Sequence, residues 1–238
     1  MSNFADLQKH LRSFADLQKA AFFPRFFKTG KGEYAEGDRF IGVTVPHIRT
    51  IARQFRDLPL EETITLLRSP IHEERLTALL ILVDQFQRGG AEIQTRIFSL
   101  YLANTKYINN WDLVDLSADK IVGGFLLDKT DRSVLEKLAR SKNLFERRIA
   151  IIATFQFIKE QKAYRDTFAV AKVLLHDPHD LIHKAVGWML REVGKRISKE
   201  AEEIFLKKHY RTMPRTALRY AIERFEESKR KRYLNGNV

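Results

Sequence analysis

The apolar residues of this 238-residue chain recur at steps of three and four, and that spacing leaves it one kind of secondary structure. In Ile71–Phe86 the residues Leu76, Leu79, Leu80, Val83 and Phe86 form one stripe, the pattern of a helix with a single buried face. Comparable stripes run through Ile93–Leu102, Leu113–Leu126, Phe145–Ile158, Phe168–Leu175, Ile182–Val193 and Ala217–Phe225. No segment sustains the alternation of a half-buried strand. Ser69-Pro70, Gly89-Gly90, Asn109-Asn110, Asp177-Pro178 and Met213-Pro214 punctuate the stripes as turns and caps. The expected fold class is all-α.

The stripes also repeat at longer range. Arg75, Trp111, Arg148, Lys184 and Arg219 each open one, at steps of 36, 37, 36 and 35 residues, and the strings RLTALLIL, RIAIIATF and KAVGWMLR resemble one another. Two helices per 36 residues point to a HEAT-like α-solenoid of antiparallel helix pairs, with those five positions lining a concave basic surface that faces one partner. The organisation expected is a single domain over 1–238. Residues 1–27 form an N-terminal helical cap, 28–45 a Gly-rich loop and 228–238 a basic, frayed tail. The loop, KTGKGEYAEGDRFIGVTV, matches neither GxGxxG nor a Walker A pattern. It is either a backbone contact for a phosphodiester or a plain connector.

Composition narrows the function classes. With no cysteine, disulfides, thiolate catalysis and cysteine-ligated metals are excluded. No apolar run approaches the ~20 residues of a membrane span, and the first residues lack the apolar core of a signal peptide. A soluble, cytoplasmic protein is expected. The net charge of +12 divides by quarters as +4, −3, +3 and +8, so both ends are basic and the centre is acidic. That distribution suits a polyanion, and equally a basic solvated surface.

Three segments carry candidate chemistry. In NNWDLVD, Asn109 or Asn110 can cap a helix and Asp112 suits its first turn. Trp111 and Asp115, four apart, share a face, which Asp119 extends. An indole beside a carboxylate suits a cation; the alternative is a buried Trp beside a solvated Asp. In KAVGWMLREVGKR, Lys184, Trp188, Arg191 and Lys195 interleave aromatic and basic groups, and Gly187 permits close approach of another backbone. Arg148, flanked by apolar residues, needs an internal carboxylate such as Asp115 or an anionic ligand, whereas Arg147 points into solvent. His176, His179 and His183 cluster without completing a zinc pattern, so no metal site is assigned.

NNWDLVD, ERRIAII and HKAVGWMLRE, in this order about 36 residues apart, resemble the AlkD-type family of DNA glycosylases, as do GVTVPHIR and FFKTGKGEYAEGD towards the N-terminus. The likeness covers about residues 22 to 225. It implies a HEAT-like solenoid that removes cationic alkylated purines, such as 7-methylguanine and 3-methyladenine, from duplex DNA without a cofactor. It further implies that Asp115 is the catalytic carboxylate, Trp111 and Trp188 flank the lesion-bearing backbone, and Arg148 is the active-site arginine. Arg191 is then a DNA-facing cation, and Phe27 or Tyr34 is the N-terminal aromatic contact. Lys184 and Lys195 beside Trp188, Arg219 at its repeat position and Lys31 in the loop are further DNA contacts expected from the residues themselves. By the same resemblance the base stays stacked. A monomer with no protein partner is expected because a curved solenoid closes its own core, and DNA binding would place it at the nucleoid. Two rival readings are a non-catalytic HEAT-like protein that binds damaged or branched nucleic acid, and a protein-binding scaffold.

Overall fold

A computed structural model describes residues 4–160 and 162–238, which are all-α; among them the one β-type pairing is an isolated bridge between Arg39 and Ile71. The chain divides into two compact units, one up to Ser117 and one from Ala118 onward.

The first unit contains α1 (Phe4–Arg12), α2 (Leu17–Phe27), α3 (Val45–Gln54), α4 (Leu60–Leu67), α5 (His72–Arg88), α6 (Ala91–Ala103) and the short α7 (Trp111–Asp115). Its spine is α5, where Leu76, Leu79, Ile81 and Leu82 are buried. Against it pack α3, α4, α6 and α7. Even the acids of its first turn are buried. Glu74 takes Arg12, Gln8 and Ser69. Glu73 accepts the backbone N–H groups of Ile41, Gly42 and Val43, with Gly42 at 2.8 Å.

That last contact decides the Gly-rich loop. Its four glycine amides are committed internally, since Gly30 and Gly32 donate to Glu33 and Glu36 and Gly37 to the Thr29 carbonyl. Gly42 has φ +85, and a Cβ there would lie 2.0 Å from the Asp16 carbonyl oxygen. The loop is a docked connector, and the phosphodiester alternative loses its donors.

The second unit opens on a π-helical turn (Asp119–Gly123). It continues through α8 (Gly124–Leu126), α9 (Ser133–Ala139), α10 (Leu144–Ala153), α11 (Phe155–Glu160), α12 (Arg165–Val173), α13 (Asp180–Arg196), α14 (Lys199–His209), α15 (Arg215–Ala221) and α16 (Glu227–Leu234). Here α13 is the spine, packed by α10, α14 and α15.

Three expectations are corrected. The stripe Leu113–Leu126 is not one helix: α7 stops at Asp115, and the Ser117 hydroxyl turns back onto the Leu113 carbonyl at 2.5 Å. Phe145–Ile158 likewise breaks at Thr154, whose hydroxyl takes the Ile151 carbonyl. The tail 228–238 is not frayed. It holds most of α16, buries Tyr233, and gives the carbonyls of Gly236 and Val238 to the Tyr210 hydroxyl.

The long-range repeat is visible in the caps, in a different register. The Ser69 hydroxyl donates to Glu74 and accepts the Ile71 N–H, while Arg75 donates to the Ser69 carbonyl. Seventy-two residues on, Ser141, Glu146, Asn143 and Arg147 make the same three bonds. Arg75 therefore corresponds to Arg147, not to Arg148.

Candidate functional site

Asn110 starts α7 in extended conformation and caps it, its side chain accepting from the Trp111 N–H at 2.8 Å. One turn carries both Trp111 and Asp115 to the wall of a cavity of about 530 Å³ within the first unit. The other walls are mostly apolar: Phe22, Phe23, Phe26 and Phe27 of α2, Phe40, Val43 and Val45 at the end of the loop, and Leu76 of α5. α2 buries none of its side chains, and Phe22 and Phe26 are 60% and 53% exposed. The rings form a ladder. Trp111 stacks on Phe27 (5.6 Å), Phe27 on Phe40 (5.0 Å) and Phe40 on His72 (4.6 Å), with the Phe26 edge 6.1 Å from Trp111. Of the two aromatic candidates, Phe27 joins this cavity and Tyr34 does not line it.

Behind the ladder lies a buried ionic cluster. Asp38 Oδ2 lies 2.8 Å from His72 Nδ1, and Asp112 Oδ2 lies 2.8 Å from His72 Nε2. Arg75 donates to Asp38 Oδ1 at 2.6 Å and to Asn109 at 3.1 Å. Burial alone would depress the His72 pKa, but Asp112 and Asp38 override it and push it up to about 9. Burial also works against Asp38, yet His72 and Arg75 hold its carboxyl below the usual range. Glu73 goes the other way, raised by burial in spite of its amide donors. Asp112 thus answers an imidazole rather than merely the start of a helix. The sequence offers no local sign of this cluster, because Asp38 and Asp112 are 34 and 40 residues from His72.

The second unit holds the remaining candidates. Arg148 is 5% exposed and donates to the Leu181 carbonyl. Arg75 is 4% exposed, so two of the five repeat positions are internal and do not face a common partner. Arg147 is not solvated; its Nε meets Asp177 at 2.5 Å. Asp119 does not prolong the face of α7. It is buried in the π-helical turn between Lys120 (2.9 Å) and Lys159 (3.0 Å).

On α13, Trp188 is half-buried against Phe155 at 5.8 Å. Lys159 and Arg196 lie over that phenyl ring at 4.9 and 5.3 Å, a basic–aromatic group the sequence pattern missed because its members come from two helices. Lys184 pairs with Asp180 at 2.7 Å and Arg191 with Glu223, while Lys195, Arg219 and, in the first unit, Lys31 are exposed. His179 caps α13 and His183 meets the Asp177 carbonyl, and no metal-ligating group forms among the described residues. Nor is any described helix long and apolar enough to cross a membrane.

Comparison with known proteins agrees with this arrangement at the level of family and fold. The family pattern "DNA alkylation repair enzyme" matches residues 7–225. A solved structure, a predicted DNA alkylation repair enzyme from Enterococcus faecalis, superposes with a TM-score of 0.70 at 18% identity, covering 90% of this chain and 97% of its own. No curated protein matches the chain. The family match spans nearly the whole sequence and brings a role in DNA repair with it: the chain belongs to the DNA alkylation repair enzyme family.

Proposed function

We propose that the protein is a monofunctional DNA glycosylase that hydrolyses the N-glycosidic bond of cationic alkylated purines, of the 7-methylguanine and 3-methyladenine type, in duplex DNA. One observation carries the reading: Trp111 and Asp115, at the two ends of α7, both line one aromatic cavity. Alkylation at N3 or N7 makes the purine a cation, so the bond to C1′ breaks with release of a neutral base and no general acid. The charge that develops is an oxocarbenium on the deoxyribose. Asp115 stabilises it, while ring faces such as Trp111 add cation–π attraction. Water then attacks C1′, loses its proton towards Asp115, and leaves an abasic site.

The family resemblance assigns Trp188 to packing on the sugar as well. Lys184, Lys195, Arg219, Arg191 and Lys31 are assigned to phosphates, as is Arg148 by the family resemblance. No lysine is assigned as a Schiff-base nucleophile, so no lyase step follows. The cavity is roomy enough for a purine. Its polar lining is sparse, and His72 and Glu73 are already committed to internal partners, so little remains to read a base edge. That favours a base attacked while still stacked.

Asp115→Asn tests the assignment. Release of 7-methylguanine from methylated duplex DNA should fall by about 100-fold or more while DNA affinity stays unchanged. Undiminished release removes Asp115 from the chemistry. If the unaltered protein binds DNA but frees no base from any alkylated substrate, the non-catalytic DNA-binding reading takes its place.

A further inference from the structure

The ionic cluster behind the aromatic ladder has no part in the chemistry above, yet it is bonded to the turn that carries that chemistry. Asp112 lies between Trp111 and Asp115 in the sequence, and its side chain is nine-tenths buried. Its Oδ2 meets His72, and its Oδ1 has no partner. Asp38, on the docked loop, meets the other ring nitrogen. A neutral imidazole has one N–H and can serve only one of two carboxylates. With both at 2.8 Å, both nitrogens donate and the ring is an imidazolium.

The groups that face it are Asp38 from the loop, Asp112 from α7, and Glu73 and Arg75 from its own helix, with Phe27 and Phe40 against its ring. Removing the proton would break one of the two links, leaving either Asp112 without its imidazole donor or Asp38 held by Arg75 and the Arg39 N–H alone.

We propose that His72 is a positioning residue: its imidazolium, gripped by Asp38 on one side and Asp112 on the other, ties the 28–45 loop to the first turn of α7 and so fixes where Trp111 and Asp115 stand. The ladder from His72 through Phe40 and Phe27 to Trp111 is the second connection between the same two points. Deprotonation loosens α7, and Trp111 is the reporter. This part of the inference stands without the glycosylase reading; its effect on base release rests on that reading.

The test separates the two. In a Trp188→Phe background Trp111 is the sole tryptophan. Its emission, followed from pH 6 to 10.5, should titrate once with a midpoint near the His72 value of about 9. His72→Gln should abolish that transition. Asp112→Asn, which keeps the shape and removes one carboxylate, should lower the midpoint by about one unit or more. Emission that is flat with pH, or a transition that survives His72→Gln unchanged, overturns the proposal, and a midpoint unmoved in Asp112→Asn does so even if the glutamine variant fails to fold.

Base release is read in parallel on the same DNA, so any titration of the substrate is common to both proteins. His72→Gln should lower kcat about tenfold at pH 7 with DNA affinity within twofold, and remove the alkaline limb of the profile near pH 9. An unchanged kcat and limb would overturn the positioning role in catalysis. If the fluorescence transition behaves as expected while Asp115→Asn still releases base normally, the glycosylase assignment fails and the His72 tie survives.

Discussion

Glu202 and His72 make the protein's stability depend on pH in the same direction, for different reasons. Glu202, on α14, is buried, and burial raises its carboxyl pKa to about 8, with Glu203 adding to the shift. Its folded value exceeds the unfolded one, so the folded chain holds the extra proton more tightly. Stability from this source is full below about pH 4.5 and declines as pH rises through 8. The His72 contribution is full below about 6.5 and is lost as pH passes 9. Glu202→Gln keeps the shape and cannot ionise. It should be more stable than the unaltered protein by about 1–3 kcal/mol at pH 8.5 and no more stable near pH 4.5, as read by urea unfolding at the two pH values. A gain that is equal at both pH values would mean that packing, not ionisation, governs the site. Neither group is legible in the sequence. In KEAEEIF, Glu202 looks like any solvated helix acid; it is buried under Gly194, whose missing Cβ would fall 1.7 Å from a Glu202 oxygen. Trp111 and Asp115 could be read because four residues on a helix fix a shared face, whereas the partners of His72 are joined to it only by tertiary packing.

Helices were legible wherever one face had to be buried, since burial itself imposes the three- and four-residue spacing. Their breaks were not, because the Ser117 and Thr154 hydroxyls that take local carbonyls leave the apolar pattern intact. Gly187 is a case where the sequence reading and the packing agree. It sits in the middle of the 17-residue α13, at helical φ, so turn chemistry does not explain it. A Cβ there would lie 2.3 Å from the Ala217 carbonyl oxygen and 2.5 Å from the Tyr220 Cβ, so α15 rests directly on the α13 backbone. Alanine is the better helix former by about 1 kcal/mol, but the contact is with backbone that cannot swing aside. Gly187→Ala should therefore lose about 1–3 kcal/mol net of stability, seen as a lower melting temperature. An unchanged or higher melting temperature would show that α15 gives way freely. The same substitution at exposed Gly90, where no atom lies within 4 Å of the added Cβ, is the control.

At the scale of the whole molecule, the net charge and the aromatic cavity fall in different units. The first, up to Ser117, carries 15 basic and 14 acidic side chains, and the second carries 27 and 16. Eleven of the twelve net positive charges therefore belong to the second unit, while the aromatic cavity with Asp115 belongs to a nearly neutral one. On the proposed function, the excess positive charge of the second unit would hold a duplex, and the carboxylate proposed to stabilise a cation belongs to the unit with almost no net charge. Binding strength should then be tunable without touching the chemistry. DNA affinity should fall linearly on a log–log plot against salt. Lys195→Ala and Arg219→Ala, both in the second unit and exposed, should each reduce that slope by about one while weakening methylated and unmethylated duplexes alike. Asp115→Asn should leave the slope unchanged, since the role proposed for the carboxylate is at the sugar and not at a phosphate. Fluorescence anisotropy of a labelled duplex from low to physiological salt measures all three. Should Arg49→Ala and Arg53→Ala on α3 flatten the slope while the second-unit variants leave it alone, the first unit is the anchor. The excess charge of the second would then serve something other than holding DNA.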